Sequence, residues 1–306
     1  MRRWAWLGLV ALALPVRAEL RSPELPVPAR AQALGGAFAN GRGTGESLWY
    51  NPAGLRGDYM EVQAGVLQWA EGLQVQGILA AAGYGKGGIG VGLRSFSLQE
   101  EQRDALGQDL GAFSYDERSL SAGVAFGDRL FAWGLALRSQ SQSWRGGTLV
   151  AQSLDRLYLD TGVQAALPWA GWRGAAYLRG FSWETQQHPC EFGCFPEVKG
   201  TLPEDRLGLE WIPGLQGLSL MAETAYYPGP GEWTLQAGAE EARQIGAGVQ
   251  GALRVGWRSD QSDLRGFAGL SAGLGLARDW LALDYAMNSL GDFGLAHRLS
   301  LVVKIH

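Results

Sequence analysis

Residues 295–305, which read Leu-Ala-His-Arg-Leu-Ser-Leu-Val-Val-Lys-Ile, carry the pattern that decides the fold. Every second residue from position 299 onwards is apolar, whereas Arg298, Ser300 and Lys304 lie on the other phase. Successive side chains of a β-strand point to opposite faces, so a period of two predicts a strand with one apolar and one polar face. One face of this strand can meet lipid and the other can meet water.

The same alternation recurs from Asp58 to the end of the chain, and helical spacing of apolar residues is hard to find. Short runs of this kind, bounded by residues that favour turns, are typical of strands. The sequence predicts fourteen strands, at residues 58–69, 73–84, 87–98, 117–127, 130–142, 157–168, 172–183, 203–212, 217–227, 232–242, 247–258, 265–277, 279–289 and 295–305.

The connections between these strands alternate in length. Those after the second, fourth, sixth, eighth and twelfth strands are tight, whereas residues 99–116, 143–156 and 184–202 form long connections after the third, fifth and seventh. Outer-membrane barrels have short periplasmic turns and longer external loops. An open sheet would also leave backbone groups unpaired in hydrocarbon. We therefore predict an all-β fold, a closed antiparallel transmembrane barrel of about fourteen strands over residues 58–306.

The beginning of the chain predicts export. Arg2 and Arg3 precede an apolar run over residues 7–14, and a cleavage site of small residues ends at Ala18, as in a signal peptide over residues 1–18. An exported barrel is expected in the outer membrane, with membrane lipid as its surroundings. The net charge of −4 and the lack of a basic block argue against nucleic acid as a partner.

The two cysteines, Cys190 and Cys194, lie close together in one long connection. In an exported chain an even number of cysteines usually pairs, so we expect a disulfide in an external loop. The alternative, a metal site, would need further ligands, because His188 alone does not complete a tetrahedral set. We expect neither a metal nor another cofactor.

Residues 19–57 do not alternate, and they contain the blocks Ala-Leu-Gly-Gly-Ala-Phe-Ala at 33–39 and Ser-Leu-Trp-Tyr-Asn-Pro-Ala-Gly-Leu at 47–55. Together with residues 283–301, these blocks resemble the FadL-like outer-membrane barrels, and most of all the PorV/PorQ-like branch that is associated with type IX secretion. The chain departs from that pattern at residues 41–45, where an acidic stretch is usual, and at its last residue, His306.

The resemblance implies that residues 19–57 fold into the lumen as a hatch, with a motif formed by Asn51, Pro52, Ala53 and Gly54. The residues themselves also allow a simpler interpretation, in which Asn51 and Pro52 start a turn before the first strand. FadL-like transporters pass hydrophobic compounds such as long-chain fatty acids. PorV-like members serve protein export and surface attachment instead.

The polar faces of the predicted strands carry charges of both signs. In a barrel of this size, such charges are expected to pair across the interior and close it rather than to form an ion path. The charges predicted to face the lumen are Asp160, Glu210, Glu223, Glu240, Arg254, Asp284, Arg298 and Lys304.

Catalysis is not expected, because the three histidines accompany no Gly-x-Ser-x-Gly motif and no partner for a nucleophile is evident. The resemblance to the PorV-like branch favours a non-catalytic component that binds other envelope or secretion proteins. The alternative is a FadL-like conduit with a hydrophobic ligand. That alternative predicts apolar residues facing the lumen in the outer half of the barrel.

Overall fold

The computed structural model describes residues 27–69, 73–103, 109–146, 149–183, 204–215, 217–228, 231–246, 248–261 and 267–305. A short helix α1 (Ala29–Ala33) and two 3-10 turns (Gly45–Trp49 and Pro52–Leu55) precede the strands. The strands are β1 (Tyr59–Trp69), β2 (Leu73–Tyr84), β3 (Gly87–Arg103), β4 (Asp109–Gly127), β5 (Phe131–Gly146), β6 (Leu149–Ala166), β7 (Trp172–Trp183), β8 (Glu204–Trp211), β9 (Leu218–Tyr227), β10 (Glu232–Gly246), β11 (Val249–Arg258), β12 (Leu270–Arg278), β13 (Leu281–Ser289) and β14 (Leu295–Lys304).

These fourteen strands form one closed antiparallel barrel. Each strand pairs with the next along the chain, and β14 pairs with β1 over the register Glu61↔Lys304 to Gln68↔His297. Closure leaves no unpaired sheet edge, as hydrocarbon requires. The predicted fold class is confirmed. Among the described residues, the helices are all too short or too polar to cross a membrane.

The two faces of the strands are the ones that the alternation predicts. Leu299 and Leu301 expose 45% and 41% of their surface to the outside of the barrel, whereas Arg298 and Ser300 are 3% and 0% exposed and face inward. The turns that follow even-numbered strands contain at most six residues. The two longest connections, between β7 and β8 and between β11 and β12, both follow odd-numbered strands. By the rule for outer-membrane barrels, the even-numbered turns then mark the periplasmic end, and β1 begins there.

The predicted long loops at residues 99–116 and 143–156 are wrong, because strands occupy most of both segments. β3 and β4 are paired as far as Arg103↔Asp109, and β5 and β6 as far as Gly146↔Leu149. These extensions carry polar residues on the outward face as well, such as Asp116, Arg145 and Asp155, so hydropathy does not alternate there. The third predicted loop, residues 184–202, lies outside the described residues.

Candidate functional site

Residues 27–57, here called the N-terminal segment, lie inside the barrel and pass around its inner wall. Helix α1 packs against β11–β14, the turn Gly45–Trp49 against β1–β4, and the turn Pro52–Leu55 against β2–β6. Ala29, Leu34 and Leu55 are fully buried. The segment therefore occupies the cross-section of the lumen, and β1 begins at Tyr59 directly after it.

Inward-facing glycines make room for this segment. A Cβ atom added at Gly208 would lie 2.5 Å from Cβ of Ala39, and one added at Gly238 would lie 2.7 Å from the carbonyl oxygen of Leu34. Contacts this close cannot form without displacing the segment. The same holds at other positions around the barrel, and we name the whole set the glycine belt: Gly83, Gly88, Gly134, Gly162, Gly208, Gly238, Gly256 and Gly273.

The Asn51–Gly54 motif starts a turn and also contacts the wall. The Asn51 Oδ1 atom accepts a hydrogen bond from the Ala53 amide at 3.1 Å, which caps the 3-10 turn that begins at Pro52. Its Nδ2 atom donates to the carbonyl oxygens of Ala39 at 3.0 Å and of Val163 in β6 at 3.1 Å. Asn51 thus joins two parts of the segment to the barrel. A role of this motif in a moving hatch remains a prediction.

Charged side chains on the walls formed by β7–β13 hold the segment, and we call this region the ionic sector (Tyr177, Arg206, Glu223, Glu240, Arg254 and Asp284). The Glu223 carboxylate accepts from the amides of Phe38 and Ala39 at 3.0 and 2.9 Å, and also from Arg206 at 2.8 Å. The Tyr177 hydroxyl donates to the same carboxylate at 3.1 Å. A buried carboxylate with several charge-assisted bonds is a strong anchor.

A second group of the ionic sector binds the start of the segment. The Arg30 guanidinium donates two hydrogen bonds to Glu240, at 2.9 and 2.8 Å. Arg254 lies between Glu240 and Asp284 and donates to both carboxylates. The alternation of positive and negative groups compensates for their burial.

Of the eight predicted lumen charges, seven are buried inward-facing groups with partners. Besides the four in the ionic sector, Glu210 accepts from Arg42 at 2.9 Å, and Arg298 donates to Asn288. Asp160 accepts from the Gly180 amide at 2.6 Å and lies 3.8 Å from Arg138. Lys304 differs, because it is exposed at the periplasmic end of β14.

Sequence reasoning missed two partners of these charges and one further buried ion pair. Arg30 and Arg42 lie in the non-alternating segment, where no periodicity indicates a face. Arg94 and Glu117, which pair at 2.6 Å, do lie on alternating strands. Their parity, counted from outward neighbours such as Leu93 and Leu120, would have placed both in the lumen.

The outer half of β1–β4, with neighbouring parts of β14, presents an apolar interior. We call it the apolar sector, and Phe96 and Tyr115 pack edge to face within it at 5.5 Å between ring centroids. Val27 of the segment forms its floor, and Trp49 packs against it. The wall residues of the apolar sector are Leu67, Trp69, Leu73, Val75, Phe96, Tyr115, Leu290 and Ala296. A cavity of about 10 Å³ lies next to Trp49.

Glu46 of the N-terminal segment is a buried carboxylate with few partners. Its Oε1 atom accepts from Gln63 at 3.0 Å, whereas Oε2 has no hydrogen-bond partner. Burial raises the pKa of Glu46 to about 7, Arg30 opposes that change, and Asp284 and Glu61 add to it. Glu46 lines a cavity of about 210 Å³ on the periplasmic side, together with Glu61, Glu240, Asp284, Arg254 and Lys304.

The described residues contain no group of three or more metal-binding side chains. The predicted disulfide cannot be compared with the structure, since Cys190 and Cys194 lie outside the described residues.

Comparisons with known proteins identify the fold. No family model and no curated protein matches the chain. Among solved structures, the CymD monoaromatic hydrocarbon channel aligns with a TM-score of 0.60 at 10% identity, covering 92% of this chain and 97% of its own. The P. putida toluene transporter TodX gives a TM-score of 0.57 at 10% identity and covers 91% and 96%.

A Pseudomonas aeruginosa FadL homologue aligns similarly, with a TM-score of 0.56 at 10% identity, covering 91% of this chain and 98% of its own. At such low identity the similarity shows a shared fold. The chain therefore has a closed β-barrel fold of the kind seen in these three structures.

Proposed function

We propose that this protein is a non-catalytic conduit for small hydrophobic molecules across the outer membrane, with the N-terminal segment as its hatch. The observation that carries this proposal is the apolar sector. Inward-facing positions of a water-filled lumen are usually polar, yet Leu67, Val75 and Phe96 face inward in the outer half of the barrel. Apolar surface there favours a ligand that water solvates poorly.

The contacts of the segment indicate which side would open. Against the ionic sector it is held by charge-assisted bonds from Arg30 and to Glu223. Against the apolar sector it places Val27 and the ring of Trp49, which pack without polar bonds to that wall. Apolar contacts with a ligand can replace these at little cost. Movement of Val27 and Trp49 would join the outer apolar sector to the periplasmic cavity.

Among the described residues, the part of the wall formed by β1–β3, beside the apolar sector, gives no ready alternative exit. The pairing of β1 with β2 has no register shift from Tyr59↔Gly83 to Trp69↔Leu73. The pairing of β2 with β3 has none from Leu73↔Leu98 to Tyr84↔Gly87. Leaving through the wall would require breaking paired backbone groups in hydrocarbon, which is costly. We therefore favour a route past the hatch.

Two matched substitutions test this proposal. Val75→Thr places a hydroxyl in the apolar sector, whereas Val91→Thr makes the same change at an outward-facing position of β3. We expect Val75→Thr to slow uptake of toluene and of a long-chain fatty acid into proteoliposomes by about 5-fold, because one polar change in an apolar pocket costs roughly 1–3 kcal/mol. Val91→Thr should leave uptake unchanged. Absence of uptake with the unaltered barrel, or equal rates in both variants, would refute the conduit.

A second candidate is a component of an envelope protein export or surface-attachment assembly, of the PorV/PorQ type. One observation favours it: β3–β6 contain 17, 19, 16 and 18 residues, whereas β8 and β9 contain 8 and 10. The longer strands extend the barrel wall on this side, and the outward residues of this wall include polar ones such as Asp116 and Ser141. Such a wall offers a surface for another envelope protein.

Affinity purification after gentle extraction from native membranes tests this candidate. Under this interpretation, an envelope protein should copurify with the unaltered barrel and be lost when the outward residues Asp116 and Ser141 are both changed to Lys. Recovery of the barrel alone in both cases would count against it.

A further inference from the structure

Four arginines meet at the periplasmic mouth, where the N-terminal segment passes β5–β7. Arg42 and Arg56 belong to the segment, Arg129 belongs to the β4–β5 turn, and Arg173 is the second residue of β7. We call these four residues the arginine cluster. They line one small pocket of about 10 Å³, together with Asn40 and Gln164.

Positive charge in the arginine cluster is only partly compensated. Arg42 pairs with Glu210 at 2.9 Å. Among the residues that the structure describes, the side chains of Arg56, Arg129 and Arg173 form no hydrogen bond or ion pair, and Nε of Arg56 is buried without a partner. The nearby carboxylate of Asp128 accepts from the amides of Leu130 and Phe131 in its own turn.

This arrangement has an electrostatic cost in the absence of an anion. Burial lowers the pKa of the Arg56 guanidinium, the charge of Arg42 lowers it further, and the charge of Asp128 opposes both effects in part. Like charges at short range disfavour each other, and a buried donor without an acceptor costs free energy. An anion with several oxygen atoms would relieve both effects.

We propose that the arginine cluster binds a phosphate group and thereby ties the N-terminal segment to the barrel. A guanidinium matches phosphate oxygens with two parallel hydrogen bonds. Three unpaired guanidiniums offer more donors than the two oxygens of a carboxylate can accept, whereas a phosphate group has three or four. Two of the four arginines are on the segment and two are on the barrel, so one phosphate bridges them. This proposal does not depend on transport.

The phosphate could come from a free ion of the periplasm or from a phospholipid headgroup of the inner leaflet. In detergent without lipid, thermal unfolding is measured against inorganic phosphate, with chloride holding ionic strength constant. Hydrogen exchange of residues 41–57 is followed in the same samples. The lipid source is examined in the same lipid-free detergent and in buffer free of phosphate, by adding phosphatidylglycerol or, as the control without a phosphate group, diacylglycerol.

We expect at least one source, phosphate or phosphatidylglycerol, to slow exchange in residues 41–57 and to raise the unfolding temperature in a saturable manner. Arg129→Gln combined with Arg173→Gln should weaken this response about 10-fold or more, since both barrel-side charge-assisted bonds are removed. Arg278→Gln, an exposed arginine at the same mouth, is the matched control and should respond like the unaltered barrel. If the double variant does not fold, Arg129→Gln alone takes its place, because Arg129 lies in an exposed turn.

The samples that show the response identify the source of the bound phosphate. A response to inorganic phosphate alone indicates a free ion, and a response to phosphatidylglycerol alone indicates a headgroup. If neither slows exchange in residues 41–57, or if the Arg129 and Arg173 variants respond like the Arg278 control, the proposal is wrong.

Discussion

The apolar sector and the ionic sector face each other across the same lumen, yet they bind the N-terminal segment in opposite ways. On the ionic side, Glu223 and Glu240 hold the segment by hydrogen bonds and ion pairs. On the apolar side, Val27 and Trp49 rest on aliphatic and aromatic side chains. Directional, buried polar bonds are costly to break singly, whereas apolar packing can be exchanged for another apolar partner.

The difference suggests a fixed side and a movable side of one plug. The glycine belt allows the segment to approach the wall around the whole circumference, as at Gly134 and Gly208. What varies around the circumference is the chemistry of the contact. Polar bonds also hold the segment nearer the periplasm, where the Glu61 carboxylate of β1 accepts from Thr44 and from the Gly45 amide. A hatch that keeps these anchors while Val27 and Trp49 move can admit an apolar ligand without leaving the barrel.

The largest effect should come from breaking the anchor at Glu223. Glu223→Ala leaves Arg206 and two segment amides with fewer acceptors, and we expect it to lower the free energy of unfolding by about 4 kcal/mol, as for other broken buried pairs. Glu241→Ala removes the exposed partner of Arg243 and should cost less than about 1 kcal/mol. Urea unfolding in lipid vesicles measures both. Equal losses would mean that the ionic sector does not anchor the segment.

A slightly smaller effect is expected in the glycine belt. In Gly238→Val, the added Cβ would lie 2.7 Å from the carbonyl oxygen and 2.8 Å from Cβ of Leu34. We expect a loss of about 3 kcal/mol from overpacking, with faster proteolysis of the segment. Gly87→Val, where no atom lies nearer than 3.9 Å, is the matched control. An intact, protease-resistant segment in Gly238→Val would contradict the close fit.

The smallest effect concerns pH. Because burial raises the pKa of Glu46 to about 7, the folded state binds more protons than the unfolded state between the ordinary pKa and that value. The stability of the seated segment should therefore fall as pH rises from about 4.5 to above 7, by on the order of 2 kcal/mol. Glu46→Gln should remove this dependence and stabilise the segment at pH 8. Unfolding midpoints at pH 5 and 8 provide the measurement, and an unchanged pH dependence in Glu46→Gln would contradict it.

Alternation predicted the barrel well because its two faces meet different solvents. The bounds of β2 and β7 agree with the predicted strands to the residue, and Arg298 and Leu299 lie on the predicted faces. Alternation failed where both faces carry the same chemistry. The missed extensions of the long strands have polar outward residues, such as Asp116 and Arg145, so they resemble loops. In the apolar sector, inward Leu67 lies beside outward Val66, so hydropathy does not distinguish the two faces.

The candidate site was predicted less completely, because its residues come together only in the closed barrel. The Arg30–Glu240 pair joins positions 210 residues apart, and no local pattern links them. The abundance of glycine was evident from composition. Its role in making room for the N-terminal segment depends on where that segment contacts each glycine of the wall. Seven of the predicted lumen charges do face inward, since strand parity alone determines that.

The movement of the hatch can be tested most directly by locking it. In a chain with Cys190 and Cys194 replaced by Ser, Val27→Cys combined with Gly77→Cys places two Cβ atoms about 3.4 Å apart, close to the separation in a disulfide. We predict that the oxidised barrel no longer takes up hydrophobic compounds into proteoliposomes and that dithiothreitol restores uptake. Full uptake through the oxidised, cross-linked barrel would contradict a hatch that opens at its apolar side.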